Sequence, residues 1–180
     1  GVKRALLFVD MPFLTYQVSP QRALLNCGRV MAEGGADGVK LEGASDSVLA
    51  AVRAVVDAGI PVMGHLGFTP QSVNTLGGAR VQARDAAGAK KIVDDAKRLE
   101  DAGAFSIVLE LLPAKVAARV TEAVRIPTIG IGAGAGCGGQ VLVLHDLLGL
   151  NDGFNPKFLK RYAAMAAEVR EAISRFGDEV

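Results

Sequence analysis

The chain has no tryptophan, 5% aromatic residues and only two cysteines among its 180 residues. Cys27 and Cys137 stand far apart with no partner at metal-ligand spacing, which excludes a disulfide framework and a thiolate zinc site. No apolar run reaches the ~18 residues that a membrane span requires. The basic start Gly1-Val2-Lys3-Arg4, leading to Asp10 after a short stretch, is unlike a signal peptide. An excess of one charge is also missing: 20 Lys+Arg against 19 Asp+Glu leave a net +1, so no bulk field draws the chain to nucleic acid or to an anionic membrane. These absences predict a soluble protein of a reducing cytoplasm that binds neither nucleic acid nor membrane.

Apolar residues, by contrast, are plentiful. Half of the chain is hydrophobic, enough to bury one core over residues 1–180 as a single domain. The 22 glycines, about 12% where ~7% is usual, predict tight turns at many places.

Short β-branched runs alternate with longer amphipathic ones, the pattern of βα units around a parallel sheet. Six strands are predicted: Ala5–Asp10, Gly38–Glu42, Pro61–His65, Phe105–Glu110, Pro127–Gly132 and Gln140–His145. Helices fall between them. Ser19 before Pro20 caps the first, Ser45 or Asp46 the second, a third spans Ala87–Ala102, a fourth starts at Pro113, and a long amphipathic run covers Lys157–Phe176. The triplets Ala36-Asp37-Gly38, Asp57-Ala58-Gly59 and Asp101-Ala102-Gly103 repeat the same punctuation between helix and strand.

Repeated βα units either close into a (βα)8 TIM barrel or lie open in a doubly wound sheet. Asp10, Glu42, His65 and Glu110 each stand at the C-terminal end of a different strand, and those ends gather around one mouth in a barrel. The expected fold is therefore α/β, a (βα)8 barrel of which this chain holds about six of the eight units, the N-terminal two being missing or unseen.

Lys40 and Glu42, two apart on a strand, face the same side, where charges are costly unless paired or bound to metal. A structural Lys40–Glu42 ion pair is the competing reading. Asp10 and Glu42 are hard oxygen ligands suited to Mg²⁺, which often takes one or two carboxylates and completes its shell with water and substrate. Glu110 follows the three apolar residues Ile107-Val108-Leu109 and precedes Leu111-Leu112-Pro113, a setting for a general base or for a buried, hydrogen-bonded glutamate. His145-Asp146 reads more simply as a helix start. Gly130–Gly139 lacks the end of a P-loop and the context of a dinucleotide fingerprint, so a tight turn is expected.

These segments also carry a resemblance. Val9-Asp10-Met11-Pro12-Phe13, Val39-Lys40-Leu41-Glu42-Gly43, Gly64-His65-Leu66-Gly67-Phe68-Thr69-Pro70-Gln71 and Val108-Leu109-Glu110 resemble ketopantoate hydroxymethyltransferases. Ile129–Gly134, Gly139–Gly149 and Asn155–Tyr162 resemble that family in the same order. The resemblance implies an Mg²⁺-dependent barrel that joins 3-methyl-2-oxobutanoate to the one-carbon unit of 5,10-methylenetetrahydrofolate, giving 2-dehydropantoate for pantothenate and coenzyme A. By that resemblance Asp10 holds the metal and contacts substrate, and Glu42 holds the metal directly or through water. Glu110 is the catalytic base, and Lys40 and His65 bind substrate. A homo-oligomer, a decamer in the family, is also implied.

Departures accompany it. The family carries an Asp-Ser pair at the end of its second strand as a further ligand and substrate contact, and no such segment precedes Gly1. Ala79, Arg80 and Ala83 stand where the family usually has an aromatic residue, a lysine and a glycine. Two alternatives remain: a related Mg²⁺-dependent barrel of the isocitrate lyase and phosphoenolpyruvate mutase type, or a non-catalytic fragment whose open edges pair with another chain.

Overall fold

The computed structural model describes residues 2–153 and 155–180. Their contacts divide the chain into two compact units, Gly1–Gln140 and Val141–Val180.

Among the described residues of the first unit, six parallel strands form one sheet: β1 (Phe8–Asp10), β2 (Gly38–Glu42), β3 (Val62–Gly67), β4 (Ser106–Glu110), β5 (Thr128–Ile131) and β6 (Gly139–Gln140). They lie in strict sequence order, each beside its predecessor. A doubly wound sheet reverses its order at a switch point, and this one does not. Crossovers of a single hand between successive neighbours put the connecting helices of this unit on the same face, which is the wall of a (βα)8 barrel. The fold is thus a partial barrel of the α/β class.

The first two helices begin at caps that the sequence names. Ser19 accepts from the Arg22 N–H at the start of α1 (Pro20–Gly34), and Ser45 accepts from Val48 at the start of α2 (Asp46–Asp57). A 3₁₀ turn at Pro70–Ser72 leads into the short α3 (Val73–Leu76). Asp85 caps α4 (Ala86–Asp101), and Pro113 precedes α5 (Ala114–Ala123).

Strand register separates two faces. Val39, Leu41, Val62, Leu66, Ile107 and Leu109 point to the helices and join the main core with Val52, Val55, Leu99 and Val120. Each such side chain stabilises the fold by about 1.5–3 kcal/mol relative to exposure. The partner pairs Asp10↔Lys40, Glu42↔His65 and Gly67↔Glu110 place every charged strand-end residue on the other face.

The glycine-rich segment after β5 is a turn. A Cβ on Gly134 would strike Ala114 and one on Gly136 would meet Ala118 at 3.0 Å, so these glycines let the segment lie against α5. The last predicted strand is corrected. Pairing with β5 ends at Gln140, and the apolar run beyond it folds instead as α6 (Leu144–Leu147), whose Leu147 N–H donates to the Val143 carbonyl at 2.9 Å.

The second unit holds α6 and α7 (Met165–Glu179). Helix α7 starts later than the amphipathic run predicts, because the chain before it is tied by Tyr162 N–H to the Leu147 carbonyl and by Met165 N–H to that of Leu148. Asp146 is buried and accepts from Asn151, whereas His145 is exposed, in line with a structural role for that pair.

Candidate active site

Five residues singled out in the sequence fall on the polar face of the sheet, in two groups. Asp10, at the end of β1, pairs with Lys40 in the middle of β2, Oδ1 to Nζ 2.9 Å. The predicted Lys40–Glu42 alternative is therefore replaced: Lys40 takes its carboxylate from the neighbouring strand. The Asp10 side chain is 66% exposed and remains open to further partners.

The second group centres on His65, only 1% exposed. Its Nδ1 lies 3.5 Å from Glu42 Oε1 and its Nε2 lies 3.1 Å from Glu110 Oε2. Neither nitrogen is aligned for a regular hydrogen bond, so the contact is one of charge and proximity. Burial alone would drive the imidazole toward neutrality, but the two carboxylates outweigh it and hold its pKa above the ordinary value. The ring therefore holds its proton to a higher pH than a free imidazole does.

Backbone strain accompanies Glu110. Leu111 has φ +47, a left-handed conformation that costs a leucine about 1–3 kcal/mol. Its N–H donates to the Ile131 carbonyl at 3.0 Å and its carbonyl accepts from Gln82 at 2.9 Å, which fixes the turn immediately after the glutamate. The Phe68 N–H donates to the Glu110 carbonyl at 2.8 Å, tying the ends of β3 and β4 together.

Residues that the sequence did not single out also meet here. Tyr16, in the loop after β1, accepts from the Glu42 backbone N–H at 3.1 Å, and the Gln71 backbone N–H donates to Glu42 Oε2 at 3.0 Å. The available signal was a tyrosine in a loop at the catalytic end of a barrel, because a buried hydroxyl must find a partner.

The family model described as ketopantoate hydroxymethyltransferase matches residues 1–180. The chain belongs to the ketopantoate hydroxymethyltransferase family. Among curated relatives, 3-methyl-2-oxobutanoate hydroxymethyltransferase of Clostridium beijerinckii is 57% identical over 180 residues, covering 100% of this chain and 65% of the relative. The enzyme of the same name from Carboxydothermus hydrogenoformans is 55% identical with the same coverage. The chain thus spans about 65% of the length of these ketopantoate hydroxymethyltransferases. A solved Burkholderia cenocepacia protein named as a lyase/mutase superposes with a TM-score of 0.52 at 21% identity, covering 95% of this chain and 59% of that one. That likeness carries the fold alone.

The donors on the polar face are carboxylate oxygens, the type that a hard divalent cation takes, with, among the described residues, no thiolate or close pair of histidines of the type that zinc takes. Among the described residues no group of three or more His, Cys, Asp or Glu forms a metal cage, and both His65 nitrogens already face carboxylates. The hard oxygens on this face are those of Asp10, whose Oδ1 meets Lys40, and of Glu42, whose oxygens meet His65 and the Gln71 N–H; Mg²⁺ can take as few as one or two carboxylates when water and substrate complete its shell.

Proposed function

We propose that this protein transfers a hydroxymethyl group from 5,10-methylenetetrahydrofolate to 3-methyl-2-oxobutanoate, giving 2-dehydropantoate for pantothenate and coenzyme A synthesis. The observation that carries this reading is the gathering of Glu42, His65 and Glu110 beside the Asp10–Lys40 pair, on one face of a partial barrel of this family.

Asp10 and Glu42 would hold Mg²⁺, Glu42 directly or through water. When bound, the ion supplies Lewis acidity toward the keto acid's carboxylate and ketone oxygens, which acidifies the neighbouring C–H. Glu110 removes that proton. Its partner His65 Nε2, 3.1 Å away, holds the carboxylate while it is charged. Once Glu110 has taken the proton that attraction weakens, and the ring N–H is free to serve the substrate. Lys40 offsets negative charge as it develops on the substrate oxygen, and Asp10 keeps its ammonium aimed at the polar face. Water opens both C–N bonds that hold the folate's methylene carbon, so that tetrahydrofolate leaves and the one-carbon unit stands at the formaldehyde level; the substrate carbon attacks that carbon, and the oxygen that came from water takes the proton held by Glu110 to become the hydroxyl.

A cytoplasmic location and a homo-oligomer, decameric as the family resemblance implies, belong to the same proposal, as does a single barrel domain that includes residues 1–180. Among the described residues no helix is long and apolar enough to cross a membrane. The test is to supply 3-methyl-2-oxobutanoate and 5,10-methylenetetrahydrofolate labelled with ¹³C at the methylene carbon. The expected result is label in the new CH₂OH group of 2-dehydropantoate, lost on chelation of divalent metal. Product that persists in the chelator contradicts the metal's role, and absence of labelled product from the intact protein contradicts the reaction.

A further inference from the structure

Beneath the charged residues lies a neutral hydrogen-bond array that the proposed chemistry does not use. Tyr16 is fully buried, and its hydroxyl accepts the Glu42 backbone N–H at 3.1 Å. It donates its own proton to Gln71 Oε1 at 2.9 Å. Gln71 donates its side-chain amide to the Met11 carbonyl at 2.7 Å and its backbone N–H to Glu42 Oε2 at 3.0 Å. Gln17 Nε2 adds a second donor to Gln71 Oε1 at 2.9 Å. The Met11 carbonyl can only accept, so the Gln71 amide has one orientation that satisfies every partner.

Three pieces of backbone meet at this point: the loop after β1, the end of β2 and the 3₁₀ turn after β3. The array keeps Glu42 Oε2 engaged and leaves Oε1 toward His65 at 3.5 Å. A glutamate side chain otherwise loses appreciable rotamer entropy when it is fixed.

We infer that Tyr16 and Gln71 are positioning residues that fix the Glu42 carboxylate, with one oxygen occupied and the other presented to the reaction site. The inference rests on the metal-dependent function proposed above. Partners of this kind, one step behind a metal ligand, typically change metal affinity 10–100-fold when removed.

The test uses Mn²⁺ alone as the probe, with free Mn²⁺ followed by electron paramagnetic resonance in the intact protein without substrate. Tyr16→Phe keeps the ring and removes only the hydroxyl. It is expected to raise the Mn²⁺ Kd about 10-fold or more while the melting temperature moves by only a few degrees. Gln71→Ala is expected to do the same and decides the matter should Tyr16→Phe fail to fold. In a Glu42→Gln background, Tyr16→Phe is expected to add nothing further, because its route to the metal is already gone. A purely structural role would show the same change in both backgrounds. An unchanged Kd in the folded variants, or an equal effect with and without Glu42, overturns the inference. Failure of the unsubstituted protein to bind Mn²⁺ contradicts the proposed function itself, and the inference with it.

Discussion

Ala83 has φ +53 in the loop that leads into α4, a conformation where a Cβ is strained and glycine is at ease. The resemblance to the family places glycine at this position, so the departure has a structural consequence. Ala83→Gly is expected to stabilise the fold by about 1 kcal/mol in urea unfolding, the relief of strain exceeding the added chain entropy. A loss of stability would mean that the methyl group's packing outweighs the strain. His65 gives a pH dependence at the same scale. Its folded pKa is raised, so the stability from the charged ring is complete below about pH 6.5, the ordinary value, and is lost as pH rises through the raised value. Unfolding midpoints of the metal-free protein are expected to fall across that window, and His65→Gln is expected to lack this component. Parallel pH profiles for the two would contradict the charge assigned to the ring. Burial likewise pushes the Cys27 thiol up to about 11. Cys137, partly exposed, is expected to react with a thiol reagent at neutral pH while Cys27 stays protected until the protein unfolds.

Contacts between elements give sharper expectations. At the end of β3, Gly67 has φ +95, and a Cβ there would run into the Glu110 carbonyl. Gly67→Ala is expected to cost about 2 kcal/mol or more and, by displacing Glu110, to slow proton abstraction on the order of 100-fold. A folded Gly67→Ala protein with unchanged abstraction would contradict the placement of the base. Arg98 of α4 joins two partners of different worth: the almost fully exposed Asp46 and the buried Asp95, which also pairs with Lys91. It also donates to the Ala44 carbonyl at 3.1 Å. Asp46→Ala is expected to cost less than about 1 kcal/mol, as exposed pairs do. Arg98→Ala is expected to cost roughly 1.5–3 kcal/mol because it strips a partner from a buried carboxylate. Chemical denaturation of both variants checks the ordering. Most of these elements were legible in the sequence because cap residues and β-branched runs act locally, as Ser19 and Ser45 show. The run Val141–Leu144 was misleading for the same reason: local composition favours a strand, but strand pairing is a long-range contact and here it stops at Gln140.

On the scale of the whole molecule, the strict strand order is what turns scattered residues into one site. Parallel neighbours in register put Asp10, Lys40, Glu42, His65 and Glu110 on a common face although 100 positions separate the first from the last. The alternation of βα units made that face readable, since the C-terminal ends of barrel strands share one mouth. The partners within the face were not readable. Lys40 pairs with Asp10 rather than with Glu42, and the choice depends on strand register. Tyr16 and Gln71 meet only because two loops fold over the end of β2. The most direct measurement of the central claim is exchange of the C3 proton of 3-methyl-2-oxobutanoate in D₂O, followed by NMR without folate. The account predicts exchange by the intact protein with Mg²⁺, its loss on chelation, and its loss in Glu110→Gln. Exchange that survives in Glu110→Gln, or its absence from the intact protein with Mg²⁺, would contradict the account.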